Sequence, residues 1–303
     1  MKIDNIPNFC VVSNFGLFIY DSIEDKIISF FRVVNTKEEC LVPQDFFGVT
    51  WSKEYIFLSK NDSIICIDKN NEIRIFLNKE WKDIHQLYYL RDRLFVCNID
   101  FNTIEVLGVE NGNLYKIYTQ KIENVNHMNS IYFKDNYFYL CVHNRKDPSY
   151  ILKCNSKFEI IDKYENIGFE NHNIIIEKNF LYTLNSKEGK LVKINLLNKQ
   201  KESFNISIDE KSYAKGMAKN KDYFLIGLNQ QEPDKDKRKY KSCVVIFDND
   251  VNFVKSIEMP ELHQTKVVKF LNGGMCHNGI DFPIEMWKKG IIKQAYAEEI
   301  TKI

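Results

Sequence analysis

At 303 residues, with 44% hydrophobic and 14% aromatic content, the chain can bury a large core and falls outside the disordered class. Lys and Arg total 42 against 41 Asp and Glu, a formal net charge of +1 with no basic stripe, so nucleic acid is not an expected partner. No run approaches the roughly eighteen apolar residues of a membrane span, so no membrane partner is expected either.

The opening, MKIDNIPNFCVVSNFG, lacks the apolar stretch and small-residue cleavage site of a secretory signal, which points to a cytoplasmic location. The cysteines at 10, 40, 66, 97, 141, 154, 243 and 276 are scattered singly, and no CxxC pair occurs. Zinc-ribbon and thioredoxin-type readings therefore fail, and buried free thiols in a reducing compartment are expected.

Along the chain, short runs of Tyr, Phe, Ile, Val and Leu alternate with Asn, Asp, Lys and Gly, the pattern of many short strands with tight turns. The N-terminal stretch FCVVSNFGLFIYDSIEDKIISFF supplies three such strands. Five similar segments follow, beginning at Gly48, Gln86, Asn129, Asn173 and Gly216, with spacings of 38, 43, 44 and 43 residues. Each pairs a short strand, a polar turn and a more aromatic strand, and two further strand-like runs come after it. Four strands in about 40–45 residues is the period of a β-propeller blade.

The sixth blade closes the ring by joining the three N-terminal strands to HQTKVVKF, which begins at His263. Gln264 lies 48 residues beyond Gly216, and the polar insertion QQEPDKDKRKY accounts for the excess. The expected architecture is all-β: a six-bladed propeller over residues 1–283, closed by strands from both ends, with no seventh repeat. Residues 284–303 are expected to form a short helical tail, because Ile284, Trp287, Ile291 and Tyr296 fall at helical spacing. That tail would pack on the outside of the propeller or bind a partner. The Lys235–Tyr240 cluster reads as a solvated hairpin tip, or as a lid or docking loop. NGG (272–274) and HNG (277–279) read as turns, and no GxSxG elbow appears.

In a propeller the first strand of each blade lines the central channel, so residues there converge on one axis. The six aligned positions, Gly48, Gln86, Asn129, Asn173, Gly216 and Gln264, are four carboxamides and two glycines, which suggests a polar funnel. His85, His127, His172 and His263 stand within two residues of them, and His143 follows the second strand of the blade that carries His127. Imidazoles so gathered could bind a divalent metal or perform acid–base chemistry near neutrality. The alternative is structural: such histidines tie strands within a blade, and carboxamides pair buried strand ends. His127 sits two residues before its aligned position rather than one, an offset that could turn it to the other face.

The elements DIHQ (from Asp83), HMNS closed by HN (His127, Asn129, Ser130, His143, Asn144), HN followed by SKEG (His172, Asn173, Ser186, Gly189) and KG (Lys215, Gly216) together resemble a poorly characterised group of bacterial six-bladed propellers. The resemblance spans about Asp83 to Phe270. It implies the six-blade fold and a shared polar face, with no defined activity. Its departure is Lys215, where the group often has Arg; the cation is kept and the bidentate fork is lost.

These observations lead to a channel-face site that binds a small polar molecule, such as a sugar or modified metabolite, with lyase- or hydrolase-type chemistry and a divalent metal as candidate cofactor. His85, His127 and His172 are the candidate catalytic groups. His85, His127, His172 and His263 are the candidate metal ligands. Gln86, Asn129, Asn173, Lys215 and His143 are the candidate substrate-binding residues. The alternative is a non-catalytic propeller acting as a scaffold for a protein partner.

Overall fold

The computed structural model describes residues 6–34, 45–70, 72–208, 212–230, 242–259, 264–271, 280–283 and 293–296. Blade 1 contains β1 (Phe9–Ser13), β2 (Gly16–Asp21) and β3 (Lys26–Val34). Blade 2 is β4 (Phe46–Trp51), β5 (Tyr55–Lys60), β6 (Ser63–Asp68) and β7 (Ile73–Leu77). Blade 3 is β8 (Ile84–Leu90), β9 (Arg93–Asn98), β10 (Thr103–Glu110) and β11 (Asn113–Lys121). Blade 4 is β12 (Met128–Lys134), β13 (Tyr137–Val142), β14 (Tyr150–Cys154) and β15 (Ile160–Tyr164). Blade 5 is β16 (Asn171–Glu177), β17 (Phe180–Asn185), β18 (Lys190–Asn195) and β19 (Lys201–Asn205). Blade 6 is β20 (Ser212–Lys219), β21 (Tyr223–Gln230), β22 (Ser242–Asp248) and β23 (Phe253–Glu258).

The innermost strand of blade 1 is β24 (Thr265–Phe270), which pairs antiparallel with β1, as the repeat predicts. The chain is thus a six-bladed all-β propeller, and β24, β4, β8, β12, β16 and β20 touch in sequence around the ring. One difference concerns the tail. Its four described residues form β25 (Lys293–Tyr296), a parallel strand on the outer edge of β3, and not a helix. Helical spacing and edge pairing compete for an apolar tail, and an open edge of unpaired backbone groups wins here. The rest of the tail, the 235–240 cluster, His263 and the NGG and HNG turns lie outside the described residues.

The core fills the slots between blades. One cluster links blades 5, 6 and 1 through Tyr182, Phe224, Ile246 and Phe9, and another links blades 3 to 5 through Phe95, Ile131, Leu140 and Ile176. Two smaller clusters join blades 1 to 2 and 2 to 3 around Trp51 and Phe57. Each large side chain so buried contributes about 1.5–3 kcal/mol. Trp51 also donates its indole N–H to the Ile280 carbonyl at 2.8 Å, and Phe282 meets its ring edge-on. Cys10, Cys66, Cys97, Cys141, Cys154 and Cys243 are buried free thiols. No helix among the described residues is long and apolar enough to cross a membrane.

Five of the six aligned positions have a common task, which is to join neighbouring blades, while Gln264 accepts from Lys266 two residues on at 2.8 Å. Gln86 Oε1 accepts the Ile131 N–H at 2.6 Å, and Asn173 Oδ1 accepts the Gly216 N–H at 3.0 Å. Asn129 donates to the Asn171 carbonyl at 2.9 Å, and Ser130 Oγ accepts the Asn173 N–H at 3.1 Å. Where glycine stands instead, the next blade comes closer: a Cβ on Gly48 would lie 2.5 Å from the His85 carbonyl oxygen and 3.1 Å from the Leu87 nitrogen. Gly216 makes the same close approach to Val267 and Val268, with φ at +88°.

Gly48→Ala should therefore push two backbones apart and cost about 1–3 kcal/mol in urea unfolding. Gly108→Ala meets only the ring of Tyr115, which is 53% exposed and can swing aside. That variant should stay within about 0.5 kcal/mol of the parent. Equal effects of the two substitutions would refute the account of close blade contact.

Candidate functional site

Every innermost strand carries one extra residue at the same level. Pairing with the second strand skips Phe47 in β4, Asn129 in β12 and Lys266 in β24. In β8, β16 and β20, two residues (His85 and Gln86, Asn173 and Ile174, Lys215 and Gly216) face one partner. A bulge bends a strand and re-aims side chains, which is why bulges recur beside functional sites. Here six bulges at one level turn a set of side chains toward the channel.

The result is a connected array with a member from each blade. Phe47 of blade 2 stacks on His85 of blade 3, with centroids 4.4 Å apart and planes 14° from parallel. His85 meets His127 of blade 4 at 5.6 Å, His127 meets His143 at 4.6 Å, and His143 meets His172 of blade 5 at 5.2 Å. His172 lies 5.8 Å from Tyr213 of blade 6. Lys215 of blade 6 and Lys266 of blade 1 place their ammonium groups 6.0 and 5.1 Å from the Phe47 centroid. The offset of His127 is absorbed by a left-handed backbone (φ 61°), anchored where its N–H donates to Asn102 Oδ1 at 3.0 Å.

Hydrogen bonds decide which nitrogen of each ring carries the proton. His85 donates through Nε2 to Asp83 Oδ1 at 2.9 Å, leaving Nδ1 as an acceptor. His172 donates through Nδ1 to the Glu170 carbonyl at 2.9 Å, with Ser186 Oγ also at 2.9 Å, leaving Nε2 as an acceptor. His143 receives the Arg145 N–H on Nδ1 at 3.1 Å, so its Nε2 is a donor. His127 Nδ1 is buried and finds no hydrogen-bond partner among the described residues. Tyr213 stands beside this group, its ring edge-on to His172, with Ser186 and Glu170 near enough to influence its phenol.

Burial holds all four imidazoles neutral at pH 7. It pushes His85 and His143 down to about 4 and His127 down to about 3, with neighbouring cations and imidazoles adding to the effect. His172 is pushed well below its ordinary value by burial and then by Lys215. The positive charge of Lys215 lowers Asp83, His85, His143 and His172 alike. For Asp83, burial opposes ionisation, but the His85 hydrogen bond and the surrounding positive groups outweigh it and keep the carboxyl low. Burial, followed by Glu170, raises the Tyr213 phenol well above its ordinary range.

His85, His127, His143, His172 and Lys215 are thus brought together. Gln86, Asn129 and Asn173 sit beside them with side-chain atoms engaged in blade-to-blade bonds. His263 lies outside the described residues. The four described imidazoles follow one another along an arc, and among the described residues no three His, Cys, Asp or Glu side chains are placed to share one metal ion. Sequence reasoning missed Phe47, Glu170, Tyr213 and Lys266. A signal was present for part of this set: Asp83, Glu170 and Tyr213 each stand three residues before an aligned position (Gln86, Asn173 and Gly216), whereas Phe47 and Lys266 show only in the strand register.

No family model matches the chain, and no curated protein does. Among solved structures it is similar to a chain of the nidogen/laminin complex, with a TM-score of 0.64 and 8% identity over 87% of this chain and 97% of that one. It is similar also to a protein of unknown function from Bacteroides caccae, with a TM-score of 0.63 and 11% identity over 87% and 98%. At such identities the likeness is one of fold, and the fold it supports is the six-bladed β-propeller.

Proposed function

We propose that the bulged end of the channel binds a small, polar, anionic molecule and can move protons on it, in the manner of a lyase or hydrolase. One observation carries this reading: Lys215 and Lys266 both lie against Phe47, whose ring stacks on His85, the first of four neutral imidazoles drawn from three blades. The ammonium groups would neutralise a carboxylate or phosphate, as point charges that tolerate varied geometry. The imidazoles present both donors and acceptors to hydroxyl groups. His85, oriented by Asp83, has the arrangement of a general base, and His172 with Ser186 and Tyr213 could return a proton. No step is routed through a metal ion, because the described imidazoles do not gather around one point.

A second reading, a propeller that binds a protein partner, is favoured by the likeness to a structure solved as a nidogen/laminin complex. The two readings separate on small-molecule binding. Malate, citrate, glucuronate and inorganic phosphate should be titrated against the protein at pH 7 while thermal unfolding is followed. At least one should raise Tm in a saturable way; a ligand at 100 times its Kd adds about 2.7 kcal/mol. The Lys215→Gln/Lys266→Gln variant should weaken that ligand at least tenfold. No stabilisation by any of the four, or stabilisation that survives the double substitution, sinks the anion reading.

The neutral imidazoles also set a pH dependence. Unfolded histidines titrate near 6.5, whereas in the fold His85 and His143 titrate at about 4 and His127 at about 3. Between those values the unfolded chain binds more protons than the folded one, so stability rises with pH through this window and levels off above 6.5. Tm should fall steadily from pH 6.5 to pH 4.5, and a His127→Asn/His143→Asn variant should show a shallower slope. A parent slope equal to that of the variant would remove these rings as its source.

A further inference from the structure

Two clefts away from the channel differ in how their charges are satisfied. The larger, of about 660 Å³ beside blade 3, has buried Glu105 among its lining residues. That carboxylate accepts from Thr119 at 2.6 Å and Thr103 at 3.2 Å, and Lys116 lies 3.7 Å away, itself paired with Glu80 at 3.0 Å. Its polar groups largely answer one another. In the smaller cleft, of about 290 Å³, Arg91 and Arg93 make no ion pair among the described residues.

This second cleft lies between blades 3 and 4 at the opposite end of the ring from the histidines, since it includes the turn that follows β8 and the turn between β12 and β13. Its lining includes Phe95, Tyr118, Phe133 and Phe138 together with Arg91 and Arg93. Phe138 is packed against Phe95 at 5.0 Å and against Phe133 at 4.9 Å, so the rings form one continuous aromatic wall. Phe95 and Phe138 are buried, while Phe133 and Tyr118 are partly open. Both arginines are exposed, on a turn whose residues Arg91 and Asp92 take left-handed φ values of 50° and 55°. Asp92, the acid between them, is committed to the Tyr89 hydroxyl at 2.7 Å.

We propose that this cleft is a second ligand site, for a small aromatic carboxylic acid whose ring enters the aromatic wall and whose carboxylate meets Arg91 and Arg93. The chemistry follows from what surrounds the space. Rings favour an aromatic guest by stacked or edge contacts, and guanidinium groups match a carboxylate through paired hydrogen bonds. Ligand clefts begin near ~300 Å³, so the space takes one small molecule rather than a peptide segment. The site is independent of the channel reading and uses none of its residues.

The test is ligand-observed NMR and calorimetry on the full chain with three probes: indole-3-acetate, tryptophol (the same ring without the acid) and acetate (the acid without the ring). Indole-3-acetate should bind saturably and at least tenfold more tightly than either of the others. Arg91→Gln/Arg93→Gln, which changes exposed side chains only, should lose at least tenfold in affinity with Tm unchanged. Lys215→Gln/Lys266→Gln should bind the probe like the parent. No binding, equal binding of tryptophol, binding retained in the arginine variant, or loss confined to the lysine variant would each overturn the proposal.

Discussion

The channel end of this protein depends on one extra residue in each innermost strand. A regular strand alternates its side chains between two faces, and in a propeller both faces are covered by neighbouring blades. The bulge breaks that alternation at one level in all six blades and turns Phe47, His85, Lys215 and Lys266 toward one another. Blade 4 reaches the same place differently: His127 enters from a left-handed position before β12, and His143 comes from the end of β13.

Such a break exposes backbone groups that must find partners. The carboxamides beside the bulges meet that need by reaching across to the next blade, as Gln86 does to Ile131 and Asn173 to Gly216. Glycine at 48 and 216 achieves the same joining by removing the side chain, so that the neighbouring strand approaches directly. Site and scaffold are therefore one construction. Residues one position apart in the chain, such as His172 and Asn173, divide into a ring that belongs to the array and an amide that ties the blades.

The electrostatic character follows from the same geometry. Eight inward-facing groups crowd a space that solvent reaches poorly, and desolvation keeps the imidazoles neutral. Against them stand the ammonium groups of Lys215 and Lys266 and the carboxylate of Asp83, held in its ionised form by His85. A charge set among neutral hydrogen-bonding rings is a selective environment for an anion that also carries hydroxyls, because both kinds of group then find partners.

The period of the repeat was enough to count blades and to predict closure by β24 on β1, because one face of every strand must be apolar and the turns between strands must be polar. Histidines beside the repeat were equally legible, since His85, His172 and His263 recur one residue before an aligned position and His127 two before. Other features were not. A bulge has no residue signature in these strands, so Phe47 and Lys266 look like ordinary strand residues until the register is seen. Gln86, Asn129 and Asn173 read as ligand groups, while their partners are backbone atoms some forty residues away in the chain. The tail's helical spacing gave way, over its four described residues, to a parallel strand on an open edge. Local pattern specifies what each strand needs on its two faces; which side chains share a space is decided only when the ring closes and brings six distant segments to one axis.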